Sequence, residues 1–129
     1  MTKLGLTMQD VNRLSHDLSV ENKAAAAQKI SAYYDGTDIS ERGRKLAEDI
    51  FRIMVEDVQV KVREVLSESL KNCKSIPRDI TVKLINDQDS VAVPFIKYYA
   101  NLTKEDLISI IEAQSSNKQK AVAQRKNLP

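Results

Sequence analysis

Three observations predict an all-α chain folded as a short α-solenoid of about four helix pairs. Gly 3 and Pro 3 in 129 residues are too few for an all-β or loop-rich fold, which turns every few positions. The strong helix formers Ala, Leu, Lys, Glu and Gln are abundant instead. A content of 42% hydrophobic and 29% charged residues is a globular balance at single-domain length. With 5% aromatics and no Trp, the core is expected to be aliphatic. The third observation is that the sequence repeats itself.

Residues Asp17 to Ile30 align without a gap on Asp57 to Leu70, an offset of 40. Leu6 to Val11 align on Leu102 to Leu107 at an offset of 96, and Ser75 to Ile80 fit the same frame at 69. These offsets stack Asn22, Val62, Val91 and Lys118 in one column. Ala25, Val65, Pro94 and Ala121 form the next column, followed by Ala26, Leu66, Phe95 and Val122. Val11, Phe51, Ile80 and Leu107 share a column in the first helices. One domain over 1–129 is expected, with repeats at about 6–34, 40–73, 75–100 and 102–126.

The elements follow in order. Thr7 stands where an N-cap belongs, and Asp17 marks the turn into a second helix beginning near Lys23. An insertion is expected near Tyr34 to Ser40, and Ser40 caps the next first helix. Asp57 is its turn, and Val62, Val65, Leu66 and Ser69/Leu70 recur at i, i+3, i+4 on the second helix. Ser75 or Ile76 is the third cap, with Pro77 suited to a first helical turn. Thr103 to Asp106 has the spacing of a capping box, with Asp in place of Glu. A pair this short cannot bury its apolar stripe alone, so neighbours must stack.

Asp17, Asp57 and Asn86 precede by six residues Lys23, Arg63 and Ala92. The predicted role of Asp17, Lys23, Asp57 and Arg63 is a turn-and-ladder tie between adjacent repeats. That role accounts for the fixed spacing better than a charged binding ladder does. The basic residue becomes Ala92 and then Gln119 in units three and four.

An Asp followed six residues on by Arg or Lys, ahead of an apolar helix, resembles HEAT repeats. Three stretches more specifically resemble a HEAT-like helical-repeat family of unknown function found in alphaproteobacteria. They are Lys45 to Asp57 running into Val62-Arg63, Ile76 to Asp79, and Val91 to Ile96. The resemblance spans Leu6 to about Leu128. It implies a HEAT-like fold in a bacterial cytoplasm, carries no established activity, and implies a longer array. Asn127-Leu128-Pro129 echoes Asn101-Leu102-Thr103 at an offset of 26, which suits the opening of a further pair.

No side-chain set reads as an active site. His16 is the only histidine and has no Cys or His at ligand spacing. Cys73, flanked by Lys71 and Lys74, stands among cations able to lower a thiol pKa, against the plainer reading of an inert loop cysteine. Glu48/Asp49 and Glu56/Asp57 could serve as acid and base, but Arg44, Lys45 and Arg52 explain the first pair as helical ion pairs. Gly36 and Gly43 are isolated and build no phosphate loop. Tyr33-Tyr34 and Tyr98-Tyr99 are expected to pack against the next repeat. No catalytic residue, cofactor or metal is assigned, and the chain is expected not to be an enzyme.

The exposed side of the second helices is the expected working surface. One row holds Ala24, Glu64, Val93 and Lys120, and the next Gln28, Glu68, Lys97 and Gln124. Glu64, Glu68, Lys97, Lys120 and Gln124 are the partner-binding candidates. The row is acidic in unit two and basic beyond it, which suits a protein better than a polyanion. The expected function is therefore a non-enzymatic protein–protein interaction or scaffold module with an unidentified protein partner. The alternative is a nucleic-acid binder using Lys118, Lys120, Arg125 and Lys126, a basic segment without aromatics. A formal net charge of +2 claims no polyanion partner in general. The N-terminus lacks a signal peptide's apolar stretch, and no segment is long and apolar enough to span a bilayer. A cytoplasmic setting is expected, and the oligomeric state stays open.

Overall fold

The computed structural model describes residues 19–125. Among them are seven α-helices and no strand: α1 Val20–Tyr34, α2 Glu41–Met54, α3 Val60–Leu70, α4 Arg78–Ile85, α5 Asp89–Tyr98, α6 Lys104–Ala113 and α7 Ser116–Ala123. The chain is all-α, as its composition predicts. The expected helix around Val11, with Thr7, His16 and Asp17, lies outside the described residues.

Starts are set by side-chain caps where the sequence supplies an oxygen. Ser40 Oγ accepts from the Gly43 N–H at 3.0 Å, and Ser115 Oγ from the Lys118 N–H at 3.3 Å. Thr103 and Asp106 form the reciprocal capping box at the start of α6. In the third unit the N-cap position falls on Pro77, not on Ser75 or Ile76, and no side chain caps it. Pro77 contributes its fixed φ in place of a hydrogen bond.

Helices α1, α3, α5 and α7 lie side by side in chain order, each packed on the next. α2 packs on α1 and α3, α4 on α5, and α6 on α7, so the described chain is a two-layered, repeat-like helical bundle. Its core runs between the layers: Ile50, Phe51, Leu66, Leu70, Ile80, Leu84, Phe95, Ile96, Tyr99 and Ile110 are fully buried. Each such aliphatic or aromatic side chain contributes about 1.5–3 kcal/mol on leaving water.

Two expected columns hold from the second unit on, and a third holds only in the last unit. Val62, Val91 and Lys118 are buried together while Asn22 is exposed, and Leu66, Phe95 and Val122 are buried with Ala26 half-buried. In the third column Ala25, Val65 and Pro94 are exposed or half-buried and Ala121 alone is buried; in those first three units Ala27, Ser67 and Ile96 are buried instead. A second helix flanked by both its neighbour and the first-helix layer buries a wider arc, turned toward that layer. The first helices also slip by one residue. Ile76 and Leu102 are both buried ahead of α4 and α6, so the spacing there is 26, and the connecting turn absorbs the difference. The extra length of unit two lies partly in α2 itself, with 14 residues against 8 in α4.

Candidate functional site

The turns between first and second helices carry the charged ladder. Lys23 Nζ on α1 meets Asp57 Oδ2 at 2.7 Å. Arg63 on α3 donates Nη1 to the Asp57 carbonyl at 2.6 Å and grips Asp87 through Nε and Nη2 at 2.8 and 3.2 Å. Asp57 Oδ1 accepts from the Gln59 N–H at 2.9 Å, closing its turn. The third-unit acceptor is thus Asp87, one residue beyond Asn86. Asn86 instead ties back to the Val82 carbonyl and accepts from Gln114.

Charge states follow from this wiring. Burial pushes the Asp57 carboxyl up, but the Lys23 hydrogen bond, the Gln59 N–H and the Arg63 charge outweigh it and hold the carboxyl below its usual range. The Asp87 hydrogen bond raises Arg63 still higher. In unit four the tie changes chemistry: Asp89 accepts from Ser115 Oγ at 2.7 Å and Asn117 Nδ2 at 2.9 Å. Gln119 turns to the carbonyls of Ile111 and Gln114.

Beside the ladder lies the open side of the second helices. Gln28, Glu64 and Glu68 meet there, with Lys61, Val65 and Ser90, around a shallow cleft of about 400 Å³. Pro94 inside α5 has no N–H to give the Ser90 carbonyl, so the α5 turn bordering the cleft lacks one helical hydrogen bond. Lys97, Lys120 and Gln124 do not line this cleft; Lys97 lies further along α5, Lys120 on α7 and Gln124 at its C-cap.

A polar strip joins Glu68 to Lys97. Glu68 pairs with Lys71 Nζ at 2.6 Å. Lys71 Nζ sits 4.7 Å from the centre of the Tyr98 ring, and Lys97 Nζ 5.2 Å from the same ring. Tyr98 is exposed between two cations attracted to its π face. Sequence reasoning assigned this tyrosine to packing. The helical period does carry the signal: a doublet puts its two rings about 100° apart, so only one can face the core. Tyr99 is the core partner, stacked on Phe95 at 4.6 Å and accepting from the Ile76 N–H at 2.9 Å.

The other doublet divides similarly. Tyr34 is buried edge-on against Phe51 and donates its hydroxyl to Glu48 at 2.7 Å. Burial and the Glu48 carboxylate push its pKa up to about 12. Cys73 follows the plainer of its two readings, an inert cysteine. Its thiol is buried, and desolvation with the Asp35 carboxylate pushes it up to about 12, opposite to the lowering that nearby lysines suggested.

The basic C-terminal segment is partly consumed by the fold. Lys118 is buried and donates to Gln114 Oε1 at 3.0 Å, and burial pushes its pKa down. Arg125 is buried with Nη1 on the carbonyls of Ile96 and Tyr99, both at 2.7 Å. Lys120 is exposed, and Lys126 lies outside the described residues. Among the described residues, no helix is long and apolar enough to cross a membrane. No protein-family model, curated protein or solved structure matches the chain.

Proposed function

We propose that the chain is a non-enzymatic protein-interaction module, a HEAT-like solenoid that receives a protein partner on the open side of its second helices. The observation that carries this reading is Tyr98. It is an exposed aromatic held between Lys71 and Lys97, next to a cleft edged by Glu64 and Glu68. Tyrosine is enriched at interfaces because it offers a large amphipathic face for little conformational entropy. Cations at the ring and acids along the neighbouring cleft give a partner both register and polarity.

The nucleic-acid reading has less support. Two cations of the basic segment, Lys118 and Arg125, are turned inward, and acids line the cleft. Affinity capture from a bacterial lysate tests the proposal with the wild type, Tyr98→Ala, Glu64→Lys and Lys97→Glu. A specific protein retained by the wild type and lost from the three variants is expected. The same proteins on all four, or none on any, would overturn it. Retention of duplex DNA at low salt by the wild type, lost in Lys120→Glu, would favour the alternative.

A further inference from the structure

One side of α6 is open where the matching side of α4 is engaged at Arg78, Ile85 and Asn86. The spacing of 26 carries Arg78, Val82, Ile85 and Asn86 onto Lys104, Ile108, Ile111 and Glu112. On the α4 side, Arg78 reaches Asp106 through two bonds of 2.6 and 2.7 Å. Asn86 accepts from Gln114 at 2.6 Å and Ile85 is only 5% exposed, while Val82 stays open at 42%. On α6, Ile108 is 44% and Ile111 52% exposed. Lys104 and Glu112 are exposed as well, and neither has an ion-pair partner among the described residues.

These four positions, i, i+4, i+7 and i+8, share one side of the helix and read cation, Ile, Ile, anion. Lys104 and Glu112 each stand four residues from Ile108, about 6 Å along the axis. A second α6 laid antiparallel, with the two-fold axis at Ile108, therefore sets Lys104 of each chain against Glu112 of the other. The helix dipole favours the same arrangement. Lys104 lies at the positive N-terminal end of its own helix and Glu112 in the negative last turn, so each has the unfavourable sign at home. Antiparallel pairing brings each beside the end of the partner helix that suits it.

We propose that this strip is a homodimer contact: a second copy of this chain covers it, α6 on α6, related by a two-fold axis. The pattern is self-complementary, which an isologous interface requires. One helix face buries less than a standard interface of about 1,200–2,000 Å², so the dimer is weak, with a dissociation constant on the order of 10⁻⁴ M. The strip is separate from the Tyr98 surface, and the two readings stand or fall independently.

Sedimentation equilibrium of the full chain from about 10 µM to 1 mM at low salt tests it, a range that brackets the expected constant. Wild type is expected to dimerise, and Lys104→Glu or Glu112→Lys to weaken it about tenfold, since each change makes two symmetric pairs repulsive. The double variant should recover to within about threefold, as should an equimolar mixture of the two single variants. Ile108→Asp should stay monomeric. A wild type monomeric at 1 mM overturns the proposal. So does a dimer indifferent to the single changes, or a double variant and a mixture that both fail to recover. These side chains are exposed, and circular dichroism checks that each single variant remains helical before mixing.

Discussion

The two layers of the bundle use the same chemistry to tie unit to unit, with different physical weight. Between second-helix turns, Lys23–Asp57 and Arg63–Asp87 are sheltered; the side chains of Arg63 and Asp87 keep 17% and 13% of their exposure. Between first helices, Lys83–Glu56 keeps 53% and 59% and Arg52–Asp79 is similarly open, with Asp106 of the Arg78 pair the one sheltered partner, at 5%. An exposed pair contributes little because water screens it and two flexible side chains must be ordered. A sheltered pair costs more to break, since its removal strands a desolvated charge. Arg63 adds a bond to the Asp57 main chain, so it also fixes where one turn sits on the next. Spacing alone makes the two sets look equal; burial separates them.

The largest expected effect comes from cutting the inner set at its centre. Arg63→Leu leaves the Asp57 carbonyl without its donor and the Asp87 carboxylate with only the Gln88 N–H, and should lower stability by about 3 kcal/mol. Urea denaturation measures this, and a loss below about 1 kcal/mol would erase the distinction between the layers. Lys23→Met should cost about 1 kcal/mol, because Asp57 retains the Gln59 N–H and the Arg63 charge.

Acid sharpens the comparison next. The Asp57 and Asp106 carboxyls are pushed up by burial, but Lys23 and Arg78 respectively, with backbone N–H groups, hold them below the usual carboxylate range. Arg52 holds Asp79 there too. Carboxyls lowered in the folded state stabilise it fully above the unfolded value of about 4, and that stability is lost as pH falls through the folded values. Melting temperature should therefore drop from pH 5 toward pH 3, and the drop should be shallower in Asp57→Asn. Equal slopes in both proteins would remove Asp57 from the account. The smallest effect belongs to the outer set: Lys83→Ala should change stability by less than about 0.5 kcal/mol in the same urea measurement.

What the sequence disclosed and what it hid divide along similar lines. Caps at Ser40 and Thr103 were legible because capping is a local interaction between residues three apart. The Val62–Val91–Lys118 column was legible because the second helices keep a constant register. Asn86 stood in for Asp87 because a one-residue shift in a turn leaves no trace in an apolar period. The buried role of Arg125 was invisible, since it depends on another unit, the carbonyls of Ile96 and Tyr99. Tyr98 was misread because its position between Lys71 and Lys97 is made by α3 lying beside α5, a contact that spacing within one helix does not encode.

The side-by-side order of the second helices also bears on how the chain reaches this state. Ion pairs joining one unit to the next link residues 24 to 34 positions apart. Closing loops of such similar length costs nearly the same entropy each time, because that cost grows only slowly with length. No unit waits on a distant partner, and mostly local contacts favour fast folding. A nascent chain can thus dock α3 on α1 before α5 is synthesised, with each completed turn of the ladder serving as the template for the next.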